Sequence, residues 1–300
     1  MKSTRSPWLI LLASLIVSAT QLPAQDAAAV DPKAPIDPKL AIVPTEVINV
    51  IDPAKFADIP FHVDEKRSLT TKKDELFRLN RSGHLHIVGK GIGYIRTPEA
   101  YRDYHLVVEF KWGENTYGFR ETRARDCGVL AHCYGGEGSY GNTYMYSIEA
   151  QMIEGGTGDI LVLAGRGDER ESAPTNMDAE VTQDRDGEYV FTAGAHKRSF
   201  PYASPDSDER KPRINWKDRD PDWEDVKGYR GAKEVEYPVG QWNRMDVICR
   251  DDTIKILLNG VLVNEGTNCY PTAGYIAMQT EMAECWVRKF EIHPLDSLPK

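Results

Sequence analysis

The chain has 300 residues, and its 46 acidic and 37 basic side chains give a formal net charge of −9. No basic stripe runs along it, and short basic clusters such as residues 120–125 stand among acidic neighbours, so nucleic acid is not expected as a partner. The length that follows the N-terminal region is sufficient for one large domain with a substantial hydrophobic core.

The N-terminus has the features of a secretory signal peptide. Lys2 and Arg5 precede an apolar run at residues 8–17, and small residues follow up to Ala24. This order predicts a signal peptide over residues 1–24, with cleavage after Ala24. The apolar run is too short for a membrane span. We therefore expect a secreted or periplasmic protein that has no membrane attachment after cleavage, with an uncleaved N-terminal anchor as the alternative.

The rest of the chain is predicted to be one β-domain behind a linker. Residues 25–46 are rich in alanine and proline and form the linker, and residues 47–300 form the domain. Within it, apolar and polar residues alternate in many short segments, and Asn259-Gly260 between two of them is the strongest hairpin signal. The clearest segments are residues 105–112, 244–250, 253–263, 274–280 and 285–295. The absence of a convincing amphipathic helix then predicts an all-β sandwich of jelly-roll type with long loops.

One long segment interrupts this pattern. Residues 195–236 are charged and rich in proline, yet they carry several aromatic residues, which a solvated linker rarely does. We therefore predict an ordered excursion that forms one wall of a cleft.

The five cysteines are predicted to be small buried hydrophobic residues with at most one or two disulfides. Cys127 and Cys133 lie on one predicted strand, about 20 Å apart at the rise of an extended chain, so they cannot bridge each other.

The stretch from residue 145 to residue 154 places polar groups on one face of an apolar strand. Ile148, Ala150 and Met152 form an apolar face, and Glu149 and Gln151 share the other. Glu154 follows after one extra residue, before a glycine-rich turn. The pairing of a carboxylate and an amide on one strand face makes Glu149 the first candidate for a chemical role.

A second strand carries a histidine. Cys127, Val129 and Ala131 alternate on a wholly apolar face, so His132 is expected to point away from the core, towards the face of Glu149. A histidine near a carboxylate can move a proton near neutral pH. Asp126 at the start of this strand could bind a sugar hydroxyl or a metal, or could form a turn.

Further candidates lie near the expected cleft. Gln279 and Glu281 end another predicted strand. Four aromatic residues are candidate platforms for sugar rings, although each could equally pack in the core: Trp112, Tyr134, Tyr144 and Trp216.

Several segments in the expected order resemble the secreted 3-keto-disaccharide hydrolase-type domain. They include GIGYIRTPEAYRDYHLVVEFKW, RDCGVLAHCYG, SIEAQMIEGGTGD, DPDWEDVKGYRG and GQWNRMDVICRDDTIKILLNGVLVNEG, and the resemblance extends from about Val47 to Leu295. It implies a concanavalin A-like sandwich of two sheets and a role in saccharide degradation. A fold alone does not fix the substrate.

The segment EAQMIE at residues 149–154 is also similar to the E-x-D-x-x-E signature of laminarinase-type β-glucanases. In those enzymes the first glutamate is the nucleophile, the last is the acid/base, and an extra residue forms a bulge that returns the last glutamate to the active face. Here Gln151 replaces the aspartate, and an amide cannot modulate a carboxylate by charge. The usual retaining mechanism is therefore in doubt.

The resemblance implies a substrate whose sugar ring carries a ketone at C3, which acidifies the neighbouring C2–H. Elimination of the glycoside followed by hydration then needs a base and an acid, for which Glu149 and His132 are the expected pair. Glu154 is a third catalytic candidate, and Gln151 a neutral hydrogen-bond donor. A divalent metal on Asp126, His132 or Glu149 remains an open alternative.

Two other functions stay open at this point. A retaining endo-β-glucanase would use Glu149 and Glu154, with the carboxylates about 5–5.5 Å apart. A lectin-like module would bind an oligosaccharide or glycoside without cleaving it. The groups that converge on Glu149 would distinguish these functions.

Overall fold

The computed structural model describes residues 33–165, 169, 171–201 and 213–297. The predicted signal peptide and the first part of the predicted linker lie outside the described residues. The strands in chain order are β1 (Ile48–Asn49), β2 (Phe61–Val63), β3 (Phe77–Leu79), β4 (Leu85–Ile87), β5 (Ile92–Arg96), β6 (Tyr104–Thr116), β7 (Asp126–Tyr134), β8 (Tyr146–Ile153), β9 (Ile160–Leu163), β10 (Asn176–Gln183), β11 (Tyr189–Phe191), β12 (Lys197–Phe200), β13 (Arg213–Ile214), β14 (Asn243–Arg250), β15 (Thr253–Leu258), β16 (Val261–Tyr270), β17 (Tyr275–Glu281) and β18 (Ala283–Pro294).

Helices are short throughout the described part of the chain. The α-helix α1 spans Lys73–Leu76, and 3-10 turns occur at Pro38–Leu40, Phe56–Asp58, Gly118–Arg120 and Leu295–Ser297. No helix among these residues is long and apolar enough to cross a membrane.

The strands form two antiparallel sheets. An eleven-stranded sheet has the order β11-β10-β16-β15-β14-β6-β18-β4-β3, with β1 beside β18 and β12 beside β10. A seven-stranded sheet has the order β13-β9-β8-β7-β17-β5-β2. One hydrophobic core takes side chains from both sheets, such as Phe110 and Val247 from the larger and Val129 and Ile148 from the smaller. The predicted all-β, concanavalin A-like jelly-roll sandwich is confirmed.

Local sequence patterns account for these strands. Leu106, Val108 and Phe110 of β6 alternate into the core, as predicted. Asn259 and Gly260 both have positive φ, 50° and 81°, in the two-residue turn between β15 and β16. Such a turn matches the right-handed twist of the strands that it joins.

Strand β7 contains one extra residue relative to both of its neighbours. Towards β8, the pairing changes from Ala131 opposite Ile148 to Tyr134 opposite Tyr146. His132 lies in this interval and has a φ of 56°. The extra residue is therefore a β-bulge, which reverses the facing of the side chains that follow it.

The predicted linker is attached to the sandwich before residue 47. Ile42 donates a backbone hydrogen bond to Ala100, and Arg102 donates one back to Ile42. Backbone contacts with the sandwich thus begin at Ile42, before the predicted domain boundary at residue 47.

The structure describes two parts of the charged excursion, and both contact the sandwich. Residues 195–201 include β12, and residues 213–236 pack over the turn that follows β8. Asp159 in that turn accepts hydrogen bonds from the Trp216 backbone and the Arg213 side chain. Residues 202–212 lie outside the described part.

All five cysteines are buried free thiols, so none forms a disulfide in this structure. The prediction of small buried hydrophobic residues is confirmed.

Candidate active site

One face of the seven-stranded sheet is turned away from the main core, and we call it the site face. The continuous register between β7 and β8 places Gly128 opposite Gln151 and Leu130 opposite Glu149. The register of β17 against β7 brings Gln279 level with Gly128. Alternation along the strands therefore gathers polar side chains from three adjacent strands on the site face.

A glycine allows two of these side chains to meet. Gln279 Nε2 donates to Glu149 Oε1 at 2.8 Å, although β17 and β8 are separated by β7. A Cβ built on Gly128 would lie 2.4 Å from Glu149 Oε1 and 2.8 Å from Gln279 Oε1. Any side chain at position 128 would occupy the space in which the carboxylate and the amide make contact.

Glu149 is a buried carboxylate, and the Gln279 side chain that contacts it is a neutral amide. The residue is 2% exposed. A carboxylate in such a position can act as a general base.

A second set of contacts connects Glu281 to its neighbours. Tyr144 donates its hydroxyl to Glu281 Oε2 at 2.6 Å, and Arg120 Nη2 donates to Glu281 Oε1 at 2.7 Å. The same Arg120 nitrogen contacts Asp126, and Nη1 contacts Asp225 at 3.1 Å. We call Glu149, Gln279, Glu281, Tyr144 and Arg120 the site-face cluster.

Tyr144 lies among the acids of this region. Burial holds the pKa of Tyr144 well above its usual value, and the charges of Glu281, Glu149 and Asp126 add to the effect. The phenol is therefore protonated and able to donate at any physiological pH.

A cavity of about 420 Å³ adjoins the site-face cluster. Tyr144 and Glu281 line it, together with Tyr140 and Phe119, and the Glu281 side chain is 17% exposed. Glu149 does not line this cavity and lies deeper in the sheet. A volume of this size lies in the range of small-molecule sites.

Two amide oxygens on the site face stand out near Glu149. Gln151 Oε1 and Gln279 Oε1 are buried without a hydrogen-bond partner within the described ranges. Buried polar atoms are nearly always satisfied, so each of these oxygens requires an explanation, such as an ordered water or a role in function.

The predicted orientation of His132 is wrong. The bulge turns its ring to the core side, where it lies edge-on to Tyr104 at 5.7 Å and is 1% exposed. Nδ1 lies 2.9 Å from the Pro271 carbonyl and must donate to it. Burial lowers the pKa of His132 to about 4, so the ring is neutral and faces away from Glu149. It cannot serve as the acid partner of Glu149.

Glu154 also lies away from Glu149. The β7–β8 register is continuous from Ile148 to Ile153, so no bulge returns Glu154 to the site face. Its carboxylate accepts from Arg125 Nη1 at 2.7 Å and from the backbone of Arg125 and Gly228. Arg125 in turn donates to Gly113 of the larger sheet. Glu154 therefore does not lie on the site face with Glu149, as a retaining glucanase would require.

Three of the four aromatic candidates are core residues. Trp216, Trp112 and Tyr134 are each 1% exposed, and the Trp216 ring donates to the Gly155 carbonyl. A buried ring cannot stack on a sugar, so the substrate-binding prediction for Trp216 is wrong. Tyr144 lines the cavity, where its hydroxyl is held by Glu281.

The open metal alternative receives no support from the side-chain geometry. No three histidine, cysteine, aspartate or glutamate side chains in the described ranges converge as metal ligands. His132 faces away from Glu149, and Asp126 is paired with Arg120. These residues do not fit a shared ion.

The sequence did not single out Arg120 or Gly128. Arg120 belongs to a basic cluster at residues 120–125, and its role depends on Asp126 and on Glu281, which is 161 residues away in the chain. A glycine inside an apolar strand was the available signal for Gly128, because it often marks a close approach.

Comparison with known proteins places the chain in a family. The model of the 3-keto-α-glucoside-1,2-lyase-like domain matches residues 62–293. No curated protein matches the chain.

Solved structures with similar folds share little sequence with this chain. A protein from Parabacteroides distasonis, provisionally assigned as a glycosyl hydrolase, is 15% identical, with 83% of this chain and 100% of that one covered at a TM-score of 0.43. The β-glucanase of Bacillus licheniformis is 10% identical, with 77% and 87% covered at 0.37. LamA of Z. galactanivorans, solved with laminaritriose and laminaritetraose, is 11% identical, with 83% and 99% covered at 0.41. Because the family model spans well over half of its length, the chain belongs to the 3-keto-α-glucoside-1,2-lyase-like family and is a saccharide-acting enzyme.

Proposed function

We propose that the protein is an exported enzyme that cleaves 3-keto-glycosides by removing the C2 proton, eliminating the glycosidic oxygen and then adding water. The observation that carries this proposal is the site-face cluster, in which the Gln279 amide contacts the Glu149 carboxylate while Tyr144 and Glu281 line the adjoining cavity. Membership of the family supports the choice of substrate class.

Glu149 is assigned as the base. A ketone at C3 acidifies the C2–H bond, so a carboxylate can remove this proton while the electron pair moves onto the C3 oxygen. The pair then returns to form the C1–C2 double bond, and the bond from C1 to the glycosidic oxygen breaks. A carboxylate held against this bond can act as the general base of the first step.

Tyr144 and Glu281 replace His132 as the acid partner. The Tyr144 hydroxyl, which donates to Glu281 in the free protein, gives its proton to the leaving oxygen. Arg120 contacts the other Glu281 oxygen and offsets the negative charge of the pair. Water then adds at C1 and gives its proton to the Tyr144 phenolate, and the proton held by Glu149 returns to C2, which completes the hydrolysis.

The amide groups are assigned to positioning. The Gln151 and Gln279 oxygens without partners accept hydrogen bonds from sugar hydroxyls. A fixed ring places the C2–H against the base, and such positioning supplies a large part of enzymatic rate enhancement.

The test substitutes Glu149→Gln, which keeps the size and hydrogen bonding of the side chain and removes its basicity. We expect the turnover of a 3-keto-disaccharide to fall by about 10³-fold or more, within the upper range for a general base. Glu265→Gln is the matched control, because Glu265 lies on β16 of the larger sheet and does not line the cavity at the site-face cluster.

Three outcomes would contradict the proposal. Full activity in a folded Glu149→Gln protein would remove the base. Preference of the wild type for unoxidised β-glucan would favour the glucanase, and binding without turnover of any substrate would favour a lectin.

Export is the second part of the proposal and depends on residues 1–24. The mature protein is expected to begin near Gln25. N-terminal sequencing of material collected outside the cytoplasm decides this, and an intact Met1 on that material would contradict it.

A further inference from the structure

A second cavity lies beside the first. It has a volume of about 780 Å³ and shares three lining residues with the cavity at the site-face cluster: Arg67, Gly141 and Asn142. These three residues therefore form the boundary that the two spaces have in common.

The junction between the cavities is held by side chains that fix one another. Arg67 Nε donates to Asp64 Oδ2 at 2.6 Å, and its Nη2 contacts the Thr143 hydroxyl. His62 Nε2 lies 3.0 Å from the Asn142 carbonyl and must donate to it. Because these contacts hold the side chains in place, the polar groups at the junction are pre-organised.

The lining of the second cavity suits a neutral, hydroxyl-rich ring. Its charged residues are two acids and two bases: Asp64, Glu65, Lys66 and Arg67. Phe61 is 38% exposed and offers an aromatic surface in the same wall. Balanced charge disfavours an ionic ligand, whereas planar polar side chains beside an exposed aromatic ring are able to bind a pyranose.

We propose that the second cavity binds the leaving-group sugars of the substrate, so that the enzyme prefers 3-keto-oligosaccharides longer than a disaccharide. This inference rests on the proposed function, because the first cavity is assigned there to the reacting sugar. Phe61 stacks on the additional ring, and Arg67 contacts its hydroxyls at the junction.

The test compares 3-keto-maltose with 3-keto-maltotriose, each oxidised on the non-reducing glucose. The kcat/KM of the wild type is expected to be about 10-fold higher for the trisaccharide. Phe61→Ala should bring this ratio close to one, because the loss is larger for the trisaccharide, whose additional ring stacks on Phe61. Tyr237→Ala is the control, since Tyr237 is 49% exposed and lines neither cavity, and it should preserve the ratio.

Binding measurements separate this inference from the proposed function. If neither oxidised sugar is cleaved, the proposed function fails, and calorimetric titration with unoxidised maltose and maltotriose then decides the second cavity. About 10-fold tighter binding of maltotriose, lost in Phe61→Ala, supports it. Equal kcat/KM or equal affinity for the two lengths in the wild type, or a length preference that survives Phe61→Ala, overturns it.

Discussion

Two groups of acidic residues near strand β8 differ in their surroundings. The site-face cluster contains Glu149 and Glu281, and Glu281 lines a cavity. The other group, which we call the closed cluster, contains Glu154 and Glu236 with the side chains Arg125, Trp112 and Thr157. No residue of the closed cluster lines that cavity, so contact with a cavity distinguishes the two groups.

Glu236 shows how the closed cluster is satisfied. Trp112 Nε1 donates to Oε1, and Thr157 Oγ1 lies 3.0 Å from Oε2 and 3.1 Å from the Ile153 carbonyl. The threonine hydroxyl has only one proton. When Glu236 is protonated, the Glu236 carboxyl donates to Thr157 Oγ1, and the Thr157 hydroxyl donates to the Ile153 carbonyl. Burial, with Glu234 adding, raises the pKa of Glu236 to about 8. A neutral acid thus uses every hydrogen in the group.

The largest expected effect concerns Glu154. Glu154→Gln leaves the buried Arg125 without its counter-charge and should lower the free energy of unfolding by about 3–5 kcal/mol. Turnover per folded molecule should stay close to the wild-type value, because Glu154 lies off the site face. Denaturant unfolding and active-site-normalised kinetics measure the two effects. A loss of turnover as deep as that of Glu149→Gln, in a stable protein, would place Glu154 in the chemistry.

A smaller effect is expected at Gly128. Gly128→Ala places a methyl group 2.4 Å from Glu149 Oε1 and displaces the carboxylate. A displacement of about 1 Å can cost about 10²-fold in rate, so we expect a loss of that order in kcat. The control is Ala131→Gly, a substitution at a core-facing position of the same strand β7. Unchanged kcat in Gly128→Ala would show that the contact between Glu149 and Gln279 is dispensable.

The smallest effect is a change in pH dependence at Glu236. Its folded pKa lies above the ordinary glutamate value of 4.5, so the folded state holds a proton that the unfolded state has released. The resulting stabilisation is complete below about pH 4.5 and is lost as the pH rises to about 8, by at most about 1.4 kcal/mol per pH unit. Glu236→Gln keeps a donor towards Thr157 and should remove this slope. Chemical denaturation at several pH values tests it, and an unaltered slope would contradict a neutral Glu236.

Alternation along single strands predicted much of the fold and the shared face of Glu149 and Gln151. Met245 and Val247 enter the core as predicted, and neither β8 nor β14 contains an extra residue relative to its partners. The same rule failed where one residue changes the phase. His132 was assigned to the wrong face because nothing in the residues AHCYGG announces a bulge at a non-glycine position.

The failure at Glu154 has the opposite cause. Similarity to a glucanase signature suggested an extra residue in β8, whereas the strand is regular there and the irregularity lies in β7. The contacts of Arg120 with Glu281 and of Gln279 with Glu149 join residues that are 161 and 130 positions apart. Local patterns carry no information about such pairings, which arise from the order of strands in the sheet.

The bulge at His132 divides β7 into two segments that must be counted separately. From Asp126 to Ala131 the even-numbered positions face the site, while Cys133 packs with Leu130 beyond the bulge. To place a polar side chain on the site face of residues 126–131, alternation must be counted from Asp126. Alternation counted from Tyr134 would assign each of these side chains to the opposite face. Removing one residue at the bulge would restore a single frame in which the side chains on both sides of the deletion keep their present faces.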